Sequence, residues 1–296
     1  MKVLVFGSLN IDLIFSVDHI VLPGETIASS ALVKSAGGKG ANQAAACAKA
    51  GLSVYMAGTI GVDGNFLLEL LQSYGVNTKH IAHYQGVSGQ ALIQLDKKSQ
   101  NAIVLFAGGN KAITRAQIDA VLDDFGAGDR IVLQNEINLT SEIMEAAHRK
   151  GLSICLNPSP FDKTIETLPL SLVDMFFVNE IEGALLAALS RNASYEAVLE
   201  KLTARFPAAE ILLTAGKEGA FYGCGTERAK GDIVDFPVVD TTAAGDTFTG
   251  YFIAARQKGL AVKESLAIAC KASSLTVSRH GAMQSIPLAA EVFDYK

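Results

Sequence analysis

The chain has 296 residues, of which 49% are hydrophobic and 27 are glycine, and its net charge is −5. A chain of this length and apolar content buries a substantial core and suits a compact α/β protein with many tight turns, which excludes disordered and fibrous classes. The mild acidity lacks the basic footprint of a general nucleic-acid binder, and no apolar run is long enough for a membrane span.

In chain order, the apolar run Val3–Phe6 predicts a first buried strand; Gly7, Asn10 and Asp12 end it, too early for a signal-peptide core. Residues 11–34 read as a hairpin: Ile11–Val17, the turn Leu22-Pro23-Gly24-Glu25, then Thr26–Val33. A helix over Gly40–Ala50, a strand over Ser53–Ala57 and a helix over Asn65–Tyr74 follow. Residues 88–106 form a second hairpin, with strands Gly89–Leu95 and Ala102–Phe106 around a polar turn, Asp96–Asn101. Beyond it come the helix Arg115–Phe125, the strand Arg130–Gln134, the helix Ser141–Lys150, and the strands Ser153–Leu156 and Met175–Val178. The helices Ile181–Leu189 and Tyr195–Arg205, the strand Glu210–Thr214, and helices near Gly245–Lys258 and Val262–Arg279 complete the series.

Continuous apolar strands alternating with helices imply an α/β fold: a mostly parallel central sheet with helices on both faces. The two hairpins would form a small β-sheet lid, from about 11–34 and 88–106, on a single domain spanning 1–296. The hairpin residues Ile11, Leu13, Phe15 and Val17 suit packing on the core, and equally suit pairing with a second lid in a homodimer. Cys47, Cys155, Cys224 and Cys270 form no C-x-x-C or zinc spacing, which points to reduced thiols and a cytoplasmic setting. The five histidines, His19, His80, His83, His148 and His280, show no metal-ligand spacing either.

Ligands of such sheets bind beyond the carboxyl ends of the strands. The strongest chemical signal is Asp240-Thr241-Thr242-Ala243-Ala244-Gly245-Asp246, which opens an apolar helix. Ala243, Ala244 and Gly245 are small enough for close backbone approach to a ligand, and amides at a helix N-terminus favour an anion. Asp246, in the first turn, can take a proton from an attacking hydroxyl beside that anion; alone, it also suits an ordinary helix-start carboxylate. Gly37-Gly38-Lys39-Gly40-Ala41-Asn42-Gln43-Ala44 opens another helix, where Asn42 offers hydrogen bonds to hydroxyls and Lys39 a charge for phosphate. No G-x-x-x-x-G-K-[ST] loop is present, and the first strand ends in Gly7-Ser8-Leu9-Asn10, not in G-x-G-x-x-G.

Together these segments resemble the two signatures of the ribokinase-like (PfkB) carbohydrate kinases, in order along Val3 to Pro287. The resemblance implies that Asp246 is the catalytic base and that the amides of Ala243, Ala244 and Gly245 form the anion hole. It places sugar hydroxyls on Asn10, Asp12, Gly38, Lys39, Asn42 and Glu136. It assigns Asn179 and Glu182, in Asn179-Glu180-Ile181-Glu182, to water, magnesium and phosphate, although Asn179 also suits a helix cap. Thr214, Gly216 and Gly219 match a T-x-G-x-x-G nucleotide loop. By position in potassium-activated relatives, Asp240, Thr242 and Ser285, with carbonyls near Thr276, Arg279 and Gly281, would hold that cation. Ala107-Gly108-Gly109-Asn110 matches the segment that closes the second lid hairpin. The implied activity is transfer of the γ-phosphate of ATP, with Mg2+ and K+, to a primary hydroxyl of a small sugar, first of all ribose. A nucleoside, fructose or 2-keto-3-deoxygluconate kinase, or a non-catalytic sugar or nucleotide sensor, are the alternatives.

Overall fold

Val3 and Val5 of the first strand pack into one hydrophobic core, and Leu4 and Phe6 into another on the opposite side of the sheet. This is the period of two expected of a strand buried on both faces. The computed structural model describes residues 1–98 and 100–293; Ser99, in the polar turn expected at Asp96–Asn101, lies outside the described residues.

The elements are β1 (Val3–Phe6), β2 (Asn10–Ser16), β3 (Ala31–Gly37), α1 (Lys39–Lys49), β4 (Val54–Ile60), α2 (Asn65–Ser73), β5 (Asn77–His83), β6 (Gly89–Leu95) and β7 (Asn101–Phe106). They continue with α3 (Arg115–Leu122), β8 (Arg130–Gln134), α4 (Thr140–Arg149), β9 (Ser153–Asn157), β10 (Met175–Asn179), α5 (Glu180–Leu186), α6 (Tyr195–Arg205) and β11 (Glu210–Thr214). The remainder is β12 (Ala220–Cys224), β13 (Glu227–Gly231), α7 (Ala244–Gln257), α8 (Val262–Val277) and α9 (Ala289–Phe293).

The main sheet has nine strands in the order β13-β12-β11-β10-β9-β8-β1-β4-β5. It is parallel from β11 through β5, and β12 and β13 add an antiparallel hairpin at one edge. Helices α1, α7 and α8 supply apolar residues to the core on the Val3 side; α3, α4, α5 and α6 supply the core on the Leu4 side. Strand order reverses beside β1, between β8 and β4, so a crevice opens beyond the carboxyl ends of β1 and β8. The loops after these strands and the N-terminus of α1 meet there.

The second sheet has the order β3-β2-β6-β7, with β2 and β6 parallel and each hairpin antiparallel. The second strand of the first hairpin is Ala31–Gly37 and not Thr26–Val33, because Asn10 pairs with Gly37 and Ser16 with Ala31. Of the four hairpin residues that suit either the core or a second lid, two are fully packed inward. Ile11 and Val17 are buried, whereas Leu32, Val33, Ile103, Val104, Leu105 and Phe106, on the edge strands β3 and β7, are more than half exposed. Helix α5 stops at Leu186, short of the expected Leu189, and Ala188 takes the left-handed conformation with φ 53°.

Candidate active site

Helix α7 buries Phe248, Tyr251 and Phe252 almost completely, and this anchors its N-terminus at the crevice. Ala243, the residue before its first turn, is left-handed with φ 60°, a conformation that costs an alanine about 1–2 kcal/mol. That bend turns the chain so that the first helical turn faces the crevice. The Ala244 N–H makes a long bond, 3.3 Å, to the Thr241 carbonyl; the N–H groups of Gly245 and Asp246 have no carbonyl four residues back within the helix. A Cβ built on Gly245 would meet nothing within 4 Å, so this residue forms bare backbone in an open wall.

Two cavities meet at this turn. The first, of about 250 Å³, is lined by Lys39, Asn179, Glu182, Thr214, the backbone of 243–245 and Asp246. The second, of about 310 Å³, is apolar: Ile233, Val234, Phe236 and Val238 line it, with Gly216 and Gly219 at its rim. Thr214, Thr241, Ala244, Gly245 and Phe248 belong to both. A flat apolar group with an anionic tail fits this pair: the apolar end in the second cavity, the charge over the α7 N-terminus.

Asp246 is buried and oriented from α1. Asn42 Nδ2 donates to its Oδ2 at 3.1 Å and Gln43 Nε2 to its Oδ1 at 2.9 Å. Lys39 lines the same cavity. Burial works against its charge, but the carboxylates of Asp246, Glu136 and Glu182 outweigh burial and hold the ammonium above the usual lysine range. Asn179 caps α5, its Oδ1 accepting from Ile181 N and Glu182 N, while Glu182 reaches back to Asn179 N. The cap consumes the amide oxygen and leaves the Asn179 nitrogen as the group it can offer to the cavity. Cap and cavity wall are therefore compatible roles here.

The expected sugar residues gather at the crevice beside α1. Asn110 Oδ1 accepts from the Leu9 N–H at 2.9 Å, and Asn110 Nδ2 donates to Asn10 Oδ1 at 2.7 Å. A backbone donor thus fixes both amides, and Asn10 has its NH2 left to present. Burial, with the nearby Glu136 charge second, pushes the Asp12 carboxyl up to about 7. Gly38 has φ 92°, and a Cβ there would stand 2.9 Å from Asn10 N and Ser8 O. Glu136 is no solvated loop carboxylate: its Oε2 accepts from the Ser8 hydroxyl and, at 3.2 Å, from the Lys39 N–H at the start of α1.

Asp240 joins two loops. Its carboxylate accepts from Thr242 N at 2.9 Å and Gly281 N at 3.0 Å; despite partial burial, these bonds and nearby His280 hold its carboxyl below the usual range. Ser285 and Thr276 are buried, and their hydroxyls lie against the carbonyls of Ala282 and Ala272. The Arg279 guanidinium pairs with Glu291, so only its carbonyl remains for a cation. Among the described residues no group of three or more His, Cys, Asp and Glu side chains gathers as a metal cluster.

Three amides at the site had no role in the sequence reading: Gln43 and Gln134, both buried, and the half-buried Asn157, the last two at the carboxyl ends of β8 and β9. Gln43 stood inside the glycine-rich motif, and polar residues that end buried strands were the available signal for the others. The apolar wall Ile233–Val238 also went unread, since it lies outside every helix and strand.

Residues 1–289 match the pfkB family carbohydrate kinase, and the chain belongs to that family. It is 34% identical to the ribokinase of Staphylococcus aureus (strain COL), over 98% of this chain and 98% of that protein. Its structure superposes on a crystal structure of ribokinase from Cryptococcus neoformans var. grubii serotype A in complex with ADP, with TM-score 0.86 and 34% identity over 99% of both chains. A structure of Arabidopsis thaliana ribokinase complexed with ribose and ATP matches with TM-score 0.89 and 28% identity, covering 99% of this chain and 97% of that one.

Proposed function

We propose that this protein transfers the γ-phosphoryl group of ATP to a primary hydroxyl of ribose, giving ribose 5-phosphate and ADP. The observation that carries the reading is Asp246: a buried carboxylate, fixed from α1, in the first turn of the helix where the two cavities meet. Adenine occupies the apolar cavity and the phosphates pass Thr214 and Gly216 toward the amides of 243–245. Ribose sits at Asn10, Asp12, Gly38, Asn42 and Glu136. Asp246 takes the hydroxyl proton as the sugar oxygen bonds to Pγ and the bond from Pγ to the bridging oxygen of ADP breaks. The Lys39 ammonium and the helix amides stabilise the charge on the transferring group. Relatives with ribokinase names over nearly the whole chain, and a neighbour solved with ribose and ATP, support this acceptor.

Glu182 and Asn179 offer hard oxygen and amide groups in the phosphate cavity, which suits magnesium held largely through water. When bound, magnesium neutralises phosphate charge. Asp240, drawing residues 242 and 281 together, gives a donor set fit for potassium: its own carboxylate, Thr242, Ser285, and carbonyls near Thr276, Arg279 and Gly281. We read the chain as one α/β domain with the β2-β3-β6-β7 sheet as its lid. The exposed edge residues of that lid suit a homodimer related by a two-fold axis. Among the described residues no helix is long and apolar enough to cross a membrane; the need for ATP and the four free thiols fit a cytoplasmic enzyme.

The test is coupled ADP release with ATP, magnesium and potassium against ribose, deoxyribose, fructose, 2-keto-3-deoxygluconate, adenosine and pseudouridine. Turnover is expected on ribose above all others. Turnover on another member alone overturns the acceptor, and ATP binding with no turnover on any favours a sensor.

A further inference from the structure

Asp246 ends a row of side-chain amides, and the direction of that row is fixed. Asn157 Nδ2 donates at 2.8 Å to the Phe177 carbonyl, a group that only accepts. Asn157 therefore turns its Oδ1 toward Gln43, whose Nε2 approaches it at 3.4 Å. The same nitrogen donates to Asp246 Oδ1 at 2.9 Å. On the far side, Gln43 Oε1 accepts from Gln134 Nε2 at 2.6 Å. Reversing the Gln43 amide would set its oxygen against the Asp246 carboxylate and the Asn157 oxygen at once. Gln43 is 1% exposed and Gln134 0%, so water does not replace either partner.

We propose that Gln43 is a positioning residue for phosphoryl transfer: its N–H, aimed by Asn157 and Gln134, fixes the rotation of the Asp246 carboxylate. Asn42 holds the second oxygen at 3.1 Å, so the carboxylate plane is set by two donors from adjacent residues of α1. Each oxygen keeps a lone pair for an incoming hydroxyl. Without Gln43 the carboxylate turns about its broad terminal torsion, and the hydroxyl meets it out of line. The inference rests on Asp246 being the base, as proposed above.

The experiment compares wild type, Gln43→Met, Gln43→Glu and Asp246→Asn in steady-state ADP release with ribose and ATP, across pH. Gln43→Met keeps the length and removes the donor; kcat is expected to fall on the order of 10–100-fold, with both KM values within about twofold. Gln43→Glu keeps the size but sets a second carboxyl beside Asp246. Two such groups share a proton, so the acid limb of the kcat profile moves to higher pH by about one unit or more. A shifted limb shows that residue 43 faces the Asp246 carboxylate, the fall in kcat at unchanged KM is the readout a purely structural residue would not give, and Gln43→Glu carries the test if Gln43→Met does not fold. A kcat for Gln43→Met within about threefold of wild type, or an unmoved acid limb in Gln43→Glu, overturns the inference. Asp246→Asn separates the two readings: if it keeps more than about a tenth of the rate, the base assignment falls first. An inactive Asp246→Asn beside a fully active Gln43→Met removes only the positioning role.

Discussion

Helices α1 and α7 must approach closely for Asn42 and Gln43 to reach Asp246, and Gly250 sets that approach. It lies one turn beyond Asp246, opposite Ala46 and Cys47, which lie one turn beyond Asn42 and Gln43. A Cβ on Gly250 would stand 2.7 Å from Ala46 C, from Ala46 Cβ and from Cys47 N. Carbon atoms rest at about 3.5–4.0 Å, so Gly250→Ala forces the helices apart by about 1 Å. That displacement stretches the bonds of 3.1 and 2.9 Å to Asp246 to about 4 Å, beyond hydrogen-bond reach. A misplacement of about 1 Å costs on the order of 10²-fold in rate, and the overpacking about 1–3 kcal/mol of stability. The assay is kcat by coupled ADP release with ribose, beside thermal unfolding and ATP binding by calorimetry. ATP binding should persist where α1 is the helix that gives way, because the apolar cavity is lined by residues 233–238, α7 and α8 and by no residue of α1. Gly126→Ala, where a Cβ meets nothing within 4 Å, is the silent control. A kcat for Gly250→Ala within about threefold of wild type, in folded protein, would refute the claim that this contact sets the geometry of the base.

Three further outcomes are expected. The Asp12 carboxyl is pushed up to about 7 from 3.8. The native state therefore binds more protons than the unfolded state between these values, and the stabilising contribution present below about pH 4 is lost as pH rises through about 7. Thermal melts of the sugar-free enzyme should show this loss against an Asp12→Asn reference, and an identical pH dependence in the two proteins counts against it. Turnover should be higher in potassium than in buffer free of potassium and sodium, and Asp240→Ala should remove the response; equal rates in both buffers reject the cation site. Light scattering should find a dimer that Val104→Asp, on the exposed β7 edge, converts to monomer; a monomeric wild type at micromolar concentration rejects the lid interface.

Strands β1, β8 and β11 fall within the bounds expected of them, because the apolar run at the centre of each is covered on both faces and burial dictates its composition. Three strands of the main sheet were passed over, β5, β12 and β13, and β5 and β13 are its two edges. β5, Asn-Thr-Lys-His-Ile-Ala-His, buries only Thr78 and Ile81, and β13, Glu-Arg-Ala-Lys-Gly, buries only Gly231. Half-exposed edges tolerate polar residues, so no apolar run marks them. The first lid hairpin slipped for a related reason: Ala31–Lys34 is exposed throughout, and without a buried face to impose register the pattern fits several alignments. Nothing in Ala188 advertises the left-handed turn that ends α5, since alanine favours helix continuation.

The candidate site divides along the same line. Residues that contact a ligand through backbone or a helix terminus leave a composition signal, because small residues are required there; Gly38 and the run Ala243–Gly245 were legible for that reason. Residues that act on other side chains leave only a weaker trace, a polar residue at the end of a buried strand or inside a small-residue motif. Gln43 meets Gln134 across 91 positions and Asp246 across 203, and only the parallel order of β8, β9 and β10 beside α1 brings Asn157 and Phe177 alongside. In an alanine-rich helix a single glutamine reads as a solvated position, yet this one is 1% exposed. A buried amide with one permitted orientation earns its place through what it orients, and the carboxylate it orients lies where the two cavities join.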